Sequence, residues 1–539
     1  MKKSILTFLM LLTMAVGAKA QDDTRALGAA IDTIVRVNGV FKKDITNRIV
    51  DDIFSKHRSA ELAAMIAKSY YNFNEDDKGV RSFHINDTVR AFYFIREAIK
   101  IDSSCARAYV VASDILAYQG ERERALAWLE AGIKANPSDS SLYKASTEVL
   151  FNVAKAEVRK NRDMGVTDMD FLALYKPAVD QLFKLKEKDP KYPLDLELAR
   201  LYYKMYDKGG VMPFQQIAEH YGKVDIKELN KGDLGAYAMA LTYTRQFKTG
   251  VEVTEFALKN YQDDHGFNQF HFYSALGLAQ AETDAEKQQQ LFLAAIAAAE
   301  QFFSVADKKK LGTLDYLRYG EAFNGAKQYD KAIDIYNDVL KRPDLSEDDK
   351  NTAYSHITSS MGDMVKAMMK ARDYKGAADV YGAFFDKRKA EGKLDDVIYG
   401  AYANIYMQWS TEFEDIADKE TVLMKADQIF AEAQAQSKQN DCLFLLNRWR
   451  LRTVLDPNRE KALAVPYAQQ LISLALSKDN VSDYAYFLTE AYWFMAQYSY
   501  FTKKDKKAAI GYLNKLLEYN PTHAQAPKFL EALGVKVGS

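Results

Sequence analysis

The chain has 539 residues, 48% of them hydrophobic, and sets 73 Lys and Arg against 74 Asp and Glu. That length holds several domains or one repetitive array. So even a charge balance argues against a nucleic-acid polyanion or an anionic membrane surface as partner, since both select concentrated Lys and Arg.

The first segment, MKKSILTFLMLLTMAVGAKA, places Lys2 and Lys3 before an apolar run from Ile5 to Val16, with Ala18-Lys19-Ala20 ahead of Gln21. This is the layout of a secretory signal peptide over residues 1–20. Its apolar core is short of the roughly 20 residues that span a bilayer. Gln21 stands where a bacterial lipoprotein needs cysteine. The expectation is an exported soluble chain of 519 residues, periplasmic if the source is Gram-negative, with 70 basic and 74 acidic residues.

From there on, only 10 prolines occur and apolar positions return every three or four residues, which predicts helices nearly throughout. No strand is expected, because alternating apolar and polar residues are scarce. AFYFIREAIKIDSS, at 91–104, is echoed inside AYVVASDILAYQGERERALAWLEAGIKANP, at 108–137. Ala91 matches Ala125, Ile95 Leu129, Ala98 Gly132 and Ser103 Pro137, each pair 34 residues apart. The unit 106–139 carries Tyr109, Ala112, Ser113 and Leu116 on a first helix, Gly120 at a turn, and Ala125, Leu129, Gly132 and Pro137 on a second. Tyr143, 34 beyond Tyr109, starts a helix that runs on through the charged KAEVRKNRDMGVTDMD. A weaker second helix follows at Ala178, Leu182, Leu185 and Pro190.

Further along, YDKGGVMPF at 206–214 breaks the helical pattern, and SVADKKKLG at 304–312 reads as a seam. The seam divides the chain into arrays at 21–303 and 313–539. The second array opens on LDYLRYGEAFNGAKQYDKAIDIYNDVL, with Tyr316, Tyr319, Gly320, Phe323, Ala332, Tyr336 and Val339. Ser346, ahead of three acids, reads as a helix N-cap. A lengthened helix around Met361, Met364, Val365 and Met368 then precedes Ala377, Tyr381 and Phe384. The last unit supplies Trp493, Ala496, Gln497 and Tyr500, then Ala509, Leu513, Leu516 and Pro521, with APKFLEAL as a closing helix. Between them KKDKK, 503–507, reads as a solvated turn.

These spacings resemble the tetratricopeptide repeat, a helix-turn-helix unit patterned W-x2-L-G-x2-Y, A-x3-F-x2-A and a closing Pro. The resemblance implies an all-α solenoid of helical hairpins in which small residues admit a close neighbour and large ones fill the space beside them. It also implies a groove lined by the first helix of each unit. Carried over, the groove positions are Arg107, Val110, Asp114 and Tyr118, then Lys144, Glu148 and Phe151, and near the end Phe494, Tyr498 and Phe501. The aromatics among them are candidates for gripping a partner. Val110 and Asp114 occupy the positions where some members hold an acidic chaperone tail with Lys and Asn, so that clamp is not expected.

The chemistry-bearing residues point to no reaction. His57, His84, His220, His265, His271, His356 and His523 form no metal-ligand spacing. Phosphate-binding loops and a GxSxG elbow are absent. Cys105 and Cys442, 337 positions apart, are expected to be free thiols. The expected function is a non-catalytic scaffold, without cofactor, that binds a protein or peptide. Two other readings stay open: a glycan or polymer carrier using groove aromatics, and an enzyme with its site near 155–176 or 206–232.

Overall fold

The computed structural model describes residues 23–38, 43–75, 81–167, 169–206, 211–343, 345–437 and 439–535. The expected signal peptide, 1–20, lies outside the described residues. Almost every described residue belongs to a helix or a short connection, and the helices pair as consecutive hairpins. α1 (Asp23–Asn38), α2 (Lys43–Lys56) and α3 (Ala60–Tyr70) lead to a two-stranded antiparallel hairpin, β1 (Tyr71–Glu75) and β2 (Arg81–Asn86). Then follow α4 (Thr88–Ile101), α5 (Ala106–Tyr118), α6 (Arg122–Ala135), α7 (Ser140–Asp163), α8 (Lys176–Lys188), α9 (Leu194–Met205), α10 (Phe214–Tyr221), α11 (Lys231–Tyr243), α12 (Phe247–Leu258) and α13 (His265–Ala281). Next come α14 (Ala285–Val305), α15 (Thr313–Gly325), α16 (Tyr329–Leu340), α17 (Glu347–Lys370), α18 (Tyr374–Ala390), α19 (Asp396–Trp409), α20 (Ile416–Gln436) and α21 (Asp441–Leu455). The chain ends with α22 (Val465–Leu476), α23 (Ala485–Gln497), α24 (Lys506–Tyr519) and α25 (Ala526–Ala532).

The hairpin β1–β2 corrects the expectation of no strand. Tyr71 pairs with Asn86 and Asn72 with Ile85, and both Tyr71 and Ile85 are buried. Two strands this short escape a periodicity scan because each offers only two or three alternations.

The chain divides into two compact units at 278/279, inside α13. The stretch 304–312, expected as a seam, runs from the end of α14 to the start of α15. In the first unit α5 packs on α6 and α7 on α8, while the first helices also touch each other, α3 on α5 and α5 on α7. The second unit repeats the scheme with α15 on α16, α16 on α17 and α23 on α24. A lone hairpin leaves one apolar face wet, so stacking on the next is what completes the core.

The 34-residue count is visible in individual atoms. The Tyr109 hydroxyl donates to the carbonyl of Ser103 at 2.9 Å, and the Tyr143 hydroxyl donates to the carbonyl of Pro137 at 3.0 Å. Gly120, Arg245, Lys327, Arg372 and Lys504 occupy one place in five hairpin turns, with φ between 57° and 81°. This left-handed residue ends the first helix, and the next N–H then reaches back to it: Glu121 to Leu116, Gln246 to Leu241 and Gln328 to Phe323, all at 2.9 Å. Ser346 caps α17, accepting the Asp349 N–H at 3.1 Å. The KKDKK stretch supplies the last of these turns and the start of α24.

Candidate functional site: a groove along the N-terminal unit

In the first unit α3, α5, α7 and α9 line one continuous groove of about 2110 Å³. On α5, Arg107, Val110, Asp114 and Tyr118 all face it, as a spacing of 3, 4 and 4 on a 3.6-residue helix requires. On α7 the facing residues include Glu148, Asn152, Lys155 and Arg159, again at 4, 3 and 4. Two ion pairs bridge neighbouring first helices across the groove wall. Arg107 Nε lies 2.8 Å from Glu61 Oε1, and Lys204 Nζ lies 3.3 Å from Glu148 Oε2. Tyr118 is 48% exposed and meets the Tyr71 ring edge-on at 6.3 Å.

The remaining expected groove residues fall elsewhere. Lys144 does not line the groove; its ammonium sits over the Tyr192 ring at 5.5 Å. Phe151 reaches the groove margin but is only 4% exposed, because its ring packs on Tyr175 at 5.3 Å. In the second unit Phe494 and Tyr498 are 5% and 6% exposed, and Trp449 closes on the Phe494 ring at 5.4 Å. Phe501 is 57% exposed and stacks on Phe529 at 5.8 Å.

A π-helical turn over Tyr498–Thr502 explains these two misplacements. In the hairpin of α5 the N–H after the left-handed residue reaches back five positions, from Glu121 to Leu116; in the last hairpin Asp505 reaches back six, to Ser499. The extra residue moves everything upstream by one place. Buried Tyr492, Met495 and Ala496 therefore take the positions that Tyr109, Ala112 and Ser113 hold. Phe494 and Tyr498 are turned into the core, whereas Phe501 beyond the shift keeps its face.

Several groove residues were not anticipated: Glu61 and Lys68 on α3, Tyr71, Arg122, Lys204, and above all Lys155 and Arg159. The last two belong to the stretch that reads in sequence as an insertion. α7 has 24 residues against 13 in α5, about 36 Å against about 20 Å. Its final turns project past the α5–α6 turn, held from behind by Ala154 and Val158 in a core with Tyr175 and Leu182. The lengthening is thus an added groove wall.

Two ionisable clusters elsewhere tie helices together. Burial opposes ionisation of Asp233, but Arg200 and Tyr221 together hold its carboxyl below the usual range. Arg200 donates to it through Nε at 3.0 Å and Nη2 at 2.8 Å, Tyr221 at 2.9 Å, and the Asn230 N–H at 3.3 Å. The cluster ties α9, α10 and α11. Asp427 likewise binds Arg448 at 2.9 Å and Arg452 at 2.7 Å. Cys105 and Cys442 are buried free thiols, and burial pushes Cys442 up to about 11. Among the described residues no group of three or more His, Cys, Asp or Glu is placed to hold a metal ion, and no helix is long and apolar enough to cross a membrane.

The hairpins, their 34-residue count and their shared turn define a tetratricopeptide-like, all-α repeat protein with an extended groove. No protein-family model matches the sequence, and no curated protein does. Solved structures that resemble it include the C-terminal part of a TPR repeat-containing protein from Cytophaga hutchinsonii, 19% identical, covering 55% of this chain and 99% of that one with a TM-score of 0.33. Another is the human IFIT1 dimer with PPP-AAAA, 13% identical, covering 85% and 96% with a TM-score of 0.24. Both are distant, and the fold assignment rests on the chain's own hairpins.

Proposed function

We propose that the chain is a non-catalytic, exported scaffold that holds an extended segment of a partner protein in the groove of its N-terminal unit. The observation that carries this reading is the groove itself: four consecutive first helices present one face to solvent, with mixed polar and apolar side chains along it. A segment lying across several repeats gains many modest contacts, which is how a helical array recognises an extended chain. The buried carboxylates of Asp233 and Asp427 are tied into ion pairs between helices, which supports a structural role for these two clusters.

The glycan reading draws on aromatics stacked along the groove. With Phe151, Phe494 and Tyr498 in the core, Tyr118 is the exposed aromatic left among the first unit's candidates, and a peptide is favoured. The test is affinity capture from the envelope fraction with wild type, Tyr118→Ala and Asn152→Trp, the last filling the groove. A protein captured by wild type and lost by both variants at unchanged helicity supports the proposal. Equal capture by all three, or binding of glycans alone on an array, refutes it. Export is tested separately by fractionation and N-terminal sequencing, with Gln21 as the expected first residue.

A further inference from the structure

Resting on the groove reading above, we infer that the groove takes a polypeptide segment carrying a cluster of acidic residues, docked on the projecting end of α7. Most charges in the groove are already committed. Glu61 is paired with Arg107 and Glu148 with Lys204. Asp102 accepts the Ser104 hydroxyl at 2.7 Å and Asp139 the Ser141 N–H at 2.9 Å, and Asp114 is also engaged. Among the described residues that line the groove, Lys68, Arg122, Lys155 and Arg159 are cations with no ion-pair partner, and Asp102, Asp139 and Asp163 are acids with none; the Ser hydrogen bonds of Asp102 and Asp139 hold those carboxylates without neutralising them.

Lys155 and Arg159 are four apart on α7, both exposed, and share one face. Arg122, at the head of α6, lines the same groove. Two of the four unpaired cations, Lys155 and Arg159, thus stand on added structure, beyond the 13-residue length of α5, whereas the unpaired Asp102 and Asp139 precede the N-termini of α5 and α7, at the other end of those helices. Like charges left unpaired side by side cost stability unless a partner neutralises them, so their placement selects carboxylates at that end of the bound segment.

A nucleic acid fits less well, because its phosphates repeat along its whole length. It would meet Glu61, Asp114 and Glu148 farther along the groove, where a peptide can present neutral or basic side chains.

The test pans a random 12-residue peptide library on phage against the full chain lacking residues 1–20. Enriched peptides are then measured by fluorescence anisotropy at 50 and 300 mM NaCl. Wild type is compared with Lys155→Glu/Arg159→Glu and with Lys155→Gln/Arg159→Gln. Both positions are solvent-exposed, and far-UV circular dichroism checks that the variants fold. The expected result is enrichment of peptides with clustered Asp or Glu, bound at least about tenfold more weakly by the charge-reversed variant and with a reduced salt dependence in the neutral one.

Enriched peptides without an acidic excess, or acidic peptides bound equally by all variants, overturn the inference while leaving the groove reading intact. A 12-nucleotide single-stranded RNA that binds wild type and is lost in the variant, with no acidic peptide binding, also overturns it. If wild type enriches no peptide at all, the groove reading falls and this inference with it.

Discussion

Gly320→Ala tests the close-packing rule on which the repeat depends. A Cβ built at Gly320 on α15 would lie 2.3, 2.5 and 2.9 Å from Cε1, Cζ and Cδ1 of Tyr336 on α16. Carbon atoms rest at about 3.5–4.0 Å, so the ring must retreat by about 1 Å or more. It has little room to do so: Tyr336 is fully buried, and its ring stacks on His356 at 5.0 Å. Overpacking of this kind costs about 1–3 kcal/mol, and the higher end applies where the ring is pinned. Alanine's better helix propensity returns about 1 kcal/mol. The expected net loss is about 1–2 kcal/mol. Gly511 on α24 is the control, exposed and with nothing within 4 Å of its built Cβ, so Gly511→Ala should gain about 1 kcal/mol. Because repeat arrays need not unfold in one step, the assay is native-state hydrogen exchange read separately in α15–α16 and α24. Exchange in α15–α16 should quicken in the first variant, and exchange in α24 should slow in the second. If Gly320→Ala protects α15–α16 as Gly511→Ala protects α24, the reasoning is wrong.

Other consequences are as direct. Phe494→Ala should cost about 3–5 kcal/mol by denaturation, as for a buried phenylalanine, while Phe501→Ala should cost less than about 1 kcal/mol; equal effects would contradict the register shift at the π turn. Neither Cys105 nor Cys442 should react quickly with a thiol reagent at pH 8 in the native chain, since burial raises both thiols, and both should react in guanidinium. Asp233→Ala, which strands the buried Tyr221 hydroxyl and leaves Arg200 with Glu197 alone, should destabilise the first unit by about 1–3 kcal/mol. Because the folded carboxyl is held below its usual value, its contribution is complete above about pH 4 and is lost as pH falls through the folded value. A thermal-denaturation series from pH 7 to pH 3 should therefore show the gap between wild type and Asp233→Ala closing.

What the sequence makes legible is whatever repeats. Tyr109 and Tyr143 make the same hydrogen bond 34 residues apart, Ser346 caps its helix, and α7 and α17 are long where the spacing stretches. The α5 groove residues follow directly, because helix period and turn position fix their direction. Phe494 and Tyr498 were illegible for a definite reason: one extra residue in a π turn leaves no compositional mark, yet rotates the preceding helix by about 100°. Lys155 and Arg159 were visible as charges but not as a wall. Their direction depends on α7 continuing past the point where α5 ends, and on Ala154 and Val158 finding a core behind it.

The groove of the N-terminal unit is proposed to hold a partner chain. This is tested most directly by placing a photo-crosslinking amino acid at Tyr118, at Asn152 and at Glu130, an exposed α6 position outside the groove lining. Crosslinking is triggered in the native compartment. One and the same polypeptide is expected to be attached from Tyr118 and Asn152 and not from Glu130. Attachment from Glu130 alone, with the two groove positions silent, would contradict it.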